Sequence, residues 1–182
     1  MYDALLVRHC APTLAGLKTG SLFSCPFAQP KEMQACLRHW NGQLYRKGLH
    51  VLPLCRRKGR TLIYLYRSSA LLGDFNCKQT AQLLKQRNYP LPCPERCIVH
   101  LMKQLSRAPA FPHEIGLFLG YPPEDVLGFI HNPAACKFSG CWKVYGDVPT
   151  AQACFDAYRK CTQTCCALLA LGVGLEQLAT AY

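Results

Sequence analysis

The chain has 182 residues, 50% hydrophobic and 17% charged, which suits a packed core and excludes a disordered chain. Its formal net charge of +11 favours an anionic small molecule or an acidic partner, nucleic acid included. No apolar run reaches the roughly 18 residues of a membrane helix. MYDALLVRHC lacks a basic-then-apolar leader, so no membrane association and a cytoplasmic location are expected.

Residues 2–7 suggest a short strand. RHCAPTLAGL then suggests a helix entered near Pro12, with Cys10 at or just before its N-cap. Free N–H groups and the helix dipole would stabilise a thiolate there, and Arg8 and His9 add positive charge. Cys10 is therefore the candidate reactive thiol. The plainer alternative is a thiol that only caps a helix.

Pro30 opens a helix to about Lys47. Met33, Cys36, Leu37, Trp40 and Leu44 recur at helical spacing, and Gly48 is a suitable stop. Residues 50–55 and 61–67 are β-rich, and Arg56-Arg57-Lys58-Gly59 joins them as a β-hairpin with a basic tip. The nearly continuous apolar run 62–66 fits a central strand. No acidic residue lies between positions 33 and 73. Arg56, Arg57, Lys58 and Arg60 are thus candidate anion-binding residues, against the alternative of a solvated basic face.

Asn76 is expected to cap a helix to about Gln86. Pro94 starts another, with Cys97, Ile98, Leu101, Met102 and Leu105 on one stripe. Two short helical patterns then flank Gly120-Tyr121-Pro122-Pro123. They mimic a helix-turn-helix. However, no Lys or Arg occurs between Arg107 and Lys137, whereas Glu114, Glu124 and Asp125 do. DNA reading by 113–130 is therefore disfavoured, and a structural αα-corner is expected. A strand at 142–145 and a final helix from Pro149 follow, and the tail after about 172 is expected to fray.

These elements imply an α+β or mixed α/β fold. We expect a single domain, 1–182, with a small sheet that includes the hairpin and is covered by several helices. The thirteen cysteines are odd in number and form no C-x-x-C, so most are expected to be reduced, small buried hydrophobes.

Three readings of function follow. The first is binding of a small ligand or a metal, with iron or haem as the cofactor, through a pocket bearing Cys and His. His9, Cys10, His113 and Glu114 would supply metal ligands. The Cys25-Pro26 and Cys93-Pro94 pairs resemble haem-sensor dipeptides, although about one such pair arises by chance. The second is a thiol-dependent enzyme with Cys10 as nucleophile, His113 as base and Glu114 as its orienter. The third is a basic module for an acidic partner or RNA, with Tyr64, Tyr66 or Trp40 stacking on bases.

HCAPTLAGLKTGSLF (9–23), LIYLYRSSALL (62–72) and FPHEIGLFLGYPPEDVLGFI with WKVYGD (111–130, 142–147) resemble a family of uncharacterised bacterial proteins, common in anaerobes, with a domain of unknown function. The resemblance spans nearly the whole chain. It implies a cytosolic single-domain protein and hints at metal homeostasis. The family has no established catalytic residues to carry over. Gly140-Cys141 departs from its usual Gly-Tyr before the tryptophan, which argues against Cys136 and Cys141 as a family metal site.

Overall fold

The computed structural model describes residues 2–27, 29–107 and 111–180. The fold is α+β, with small antiparallel sheets among many helices. The chain divides into two compact units, residues 1–70 with 160–182 and residues 71–159.

The first unit begins with helix α1, Tyr2–Leu14, where a strand was expected. Leu6, Val7, Cys10, Ala11 and Leu14 recur at helical spacing and are all fully buried. Pro12 therefore lies inside α1 near its end rather than at its start, and supplies no N–H to the carbonyl of Arg8 four residues back. Strand β1, Gly20–Cys25, comes next and was not expected.

Helix α2, Pro30–Leu44, starts at a proline as expected. It tightens into a 3-10 turn and stops at Gly48, whose φ of 70° is left-handed. Strands β2, Leu49–Arg57, and β3, Arg60–Arg67, form the expected hairpin. The sheet order is β1-β3-β2, which makes β3 the central strand. Its inner face carries Ile63 and Leu65, packed in one core with Phe23, Trp40 and the buried side of α1.

Arg67 is almost wholly buried. Its guanidinium donates to the carbonyls of Thr13 and Leu14 at the negative end of α1, to Lys47 O and to Thr180 O. The tail is docked rather than frayed. Helix α9, Leu175–Leu178, buries both of its leucines, and Thr180 N donates to Leu14 O at 3.1 Å. Residues 181 and 182 lie outside the described residues.

Helix α3, Ser68–Asn76, leads into the second unit and was also unexpected. Asn76 ends α3 instead of capping the next helix. Cys77 is the N-cap of α4, Lys78–Gln86. Helix α5, Pro94–Arg107, buries Cys97, Ile98, Leu101 and Leu105, much as its stripe implied.

The corner consists of a single turn, α6, Ile115–Phe118, and α7, Pro123–His131. Gly116 lets the two approach, since a Cβ there would stand 2.8 Å from Val126 Cγ2. Short strands β4, Phe138–Ser139, and β5, Lys143–Val144, pair antiparallel ahead of α8, Val148–Ala170. Among the described residues, no helix is long and apolar enough to cross a membrane.

Candidate functional site

The organising residue of the second unit is Asp125, in the first turn of α7 and buried. Its carboxylate accepts from Trp142 Nε1 at 2.7 Å, Tyr145 N at 2.7 Å and Gly146 N at 2.8 Å. Three donors to one buried charge satisfy it without a cation. They also pin the β5 segment onto α7. Trp142 is thereby held between Tyr121, stacked at 4.8 Å, and Phe155, edge-on at 4.5 Å.

On one side of Trp142 lies a cavity of about 200 Å³. Tyr121, Val126 and Trp142 form its inner wall, and Phe111, His113 and Lys143 are exposed at its mouth. Phe129 joins the two mouth groups. His113 meets its ring edge-on at 4.8 Å, and Lys143 Nζ lies 5.3 Å from its centroid. A dry cavity of about 150 Å³ already admits benzene, so one ring or one branched apolar group fits here. The lining is mostly apolar. Asp125 is committed to its three donors, which leaves His113 and Lys143 as the polar groups able to meet a guest.

His113 was anticipated from the sequence, and its neighbour Glu114 goes elsewhere. Glu114 is buried, accepts from Tyr89 OH at 3.1 Å, and has Arg87 Nη1 at 4.0 Å. Burial and the Glu114 charge push the Tyr89 phenol well above its ordinary range. Glu114 thus braces the interior, while His113 lines the cavity.

Cys10 departs most from expectation. Its helix starts at Tyr2, so Cys10 sits inside α1 and not at its N-cap, and it is fully buried. Burial raises the thiol to about 12, despite opposing pulls from Lys18 and Ser21. His9 is exposed and stacks on Phe23 at 5.7 Å. Cys10 and His9 belong to the first unit, His113 and Glu114 to the second. Among the described residues, no group of three or more His, Cys, Asp or Glu side chains is placed to hold a metal ion, so these four assemble no such set.

The capped thiol that the sequence suggested exists at another position. Cys77 is exposed at the N-cap of α4. It makes no full capping hydrogen bond, yet the Thr80 and Gln79 amides draw its pKa below the ordinary value. It lines a second cavity, of about 240 Å³, with Asp74, Thr80 and Tyr121. Capping rules favour Ser, Thr, Asp and Asn, and for that reason Asn76 looked the better cap.

Arg56, Arg57, Lys58 and Arg60 all project from the exposed hairpin tip. Arg60 is fixed by Nε to Ser24 Oγ and Nη2 to Ser24 O, both at 2.8 Å. Tyr64, Tyr66 and Trp40, expected to stack on bases, are buried and present no face to solvent.

No curated protein and no solved structure matches the chain. One family model spans all three of the blocks that carried the resemblance: described as protein of unknown function (DUF3793), it matches residues 6–179, and the chain belongs to that family.

Proposed function

We propose that the cavity between the αα-corner and Trp142 binds a small anionic molecule that carries one ring or one branched apolar group. The observation behind this reading is an apolar slot whose exposed mouth holds Lys143 and His113 and, among the described residues that line it, no uncommitted carboxylate. The apolar group would displace water against Tyr121, Val126 and Trp142. The anion would meet the Lys143 ammonium in a charge-assisted contact. Cys10 has no part in this, because its sulfur is buried in the first unit.

Benzoate, benzyl alcohol and benzylamine form a charge series of nearly equal size, and titration calorimetry can rank them. Benzoate should bind best and benzylamine worst. Lys143→Met should weaken benzoate about tenfold and leave benzyl alcohol unchanged, the scale of one charge-assisted hydrogen bond. Equal binding of benzoate and benzylamine, or no binding of any of the three, overturns the proposal.

A further inference from the structure

Residues 1–70 and 160–182 hold twelve Lys and Arg against three Asp and Glu, a net of +9, while residues 71–159 hold nine against seven, a net of +2. Nearly all of the excess charge therefore belongs to the first unit. Two of its three acids are engaged locally. Asp3 accepts from Trp40 Nε1 at 2.7 Å, and Glu32 accepts from Tyr2 OH at 2.8 Å.

The hairpin tip concentrates this charge at a local disadvantage to the fold. Arg57 and Arg60 face each other across the strand pair, where like charges destabilise. Lys58 takes a φ of +48° in the two-residue turn, a position that asparagine or glycine fills with less strain. Neither choice is the one that hairpin rules favour, although Arg60 also ties β3 to Ser24 of β1. Departures from local rules of this kind concentrate at functional positions.

We infer that the tip formed by Arg56, Arg57, Lys58 and Arg60 docks on the phosphate backbone of duplex nucleic acid, independently of sequence. Single-strand binders stack bases on exposed aromatics, whereas the Phe, Tyr and Trp rings of this sheet and of α2 are buried, and the exposed Tyr45 after α2 stands edge-on to His50 at the end of the hairpin opposite the tip. An acidic protein surface would be gripped through an apolar or aromatic anchor, and none of residues 56–60 supplies one. Guanidinium groups match phosphate geometry, and three of the four cations are arginines. Ser24 holds Arg60 in a fixed direction, so part of the surface is preorganised.

Fluorescence anisotropy with short labelled RNA and DNA duplexes of unrelated sequence tests this, with single strands and poly-glutamate as competitors. Both duplexes should bind, similarly between sequences, and poly-glutamate should compete poorly. Reversing Arg56, Arg57, Lys58 and Arg60 to Glu should weaken binding and flatten the salt dependence by about 0.9 log units per lost DNA contact. Reversing Lys78, Lys85, Lys103 and Lys137 in the second unit should have little effect. Lys58→Gly keeps the turn and carries the test even if the fourfold variant does not fold. It should melt higher than the native protein and bind duplex roughly threefold more weakly at low salt. Absent duplex binding, equal losses in both fourfold variants, stronger competition by poly-glutamate, or unchanged binding by Lys58→Gly would each overturn the inference.

Discussion

At the scale of single residues, a cysteine's place along its helix decides its chemistry. Cys10 and Cys77 both lie where a proline or a polar residue hints at a helix start. Only Cys77 stands at one, and only it meets free amides. Cys77 should therefore alkylate first when native protein meets limiting iodoacetamide near neutral pH, and its rate should inflect below the ordinary thiol range. Cys10 and Cys97, both fully buried, should react only after denaturation. Mass-spectrometric mapping reads the order directly, and early labelling of Cys10 would contradict its burial. The stabilising physics was legible in the sequence. Which cysteine would enjoy it was not, because that depends on where α1 begins, eight residues earlier.

At the scale of elements, legibility followed the strength of the punctuation. α2 has Pro30 before it and Gly48 after it, α7 has Pro123 at its start, and the hairpin closes on Lys58-Gly59; all three were readable. α3 and α9 lack such markers and bury only two leucines or a leucine and a phenylalanine each, too few for a periodic signal. The pocket was legible only as a set of neighbours, since Asp125 reaches across 17 to 21 residues to its three donors. Asp125→Ala would leave those donors unpaired. It should cost about 3 kcal/mol in urea unfolding, the scale of a broken buried network. A loss under about 1 kcal/mol would show that the carboxylate does not hold β5 to α7. Gly128→Ala probes the same seam sterically. Its Cβ would fall 2.3 Å from Tyr145 Cγ, so a loss of about 1–3 kcal/mol from overpacking is expected.

At the scale of the whole molecule, thirteen thiols give the chain an alkaline limit. Cys10 is raised to about 12, and Cys25 and Cys97 to about 11, each chiefly by burial. In the unfolded chain these thiols ionise near the ordinary value of about 8.5. Above that pH the unfolded state binds fewer protons than the native state, so stability falls as pH rises. Their contribution is complete below the unfolded pKa and is lost progressively toward the folded values. Cys77 acts with the opposite sign, because its lowered pKa favours the fold once the pH passes its folded value. Cys36, Cys55, Cys161 and Cys165 are raised as well, so seven raised thiols outweigh one lowered thiol, and an alkaline decline is the expected net result. Under reducing conditions, the urea midpoint should drop steadily from about pH 8.5 upward with an unchanged slope against denaturant. The Cys25→Ala/Cys97→Ala double variant should start from a lower midpoint and decline less steeply. A midpoint that stays level through this range would mean that these sulfurs already ionise inside the native protein, and the burial that defines both hydrophobic interiors would have to be given up.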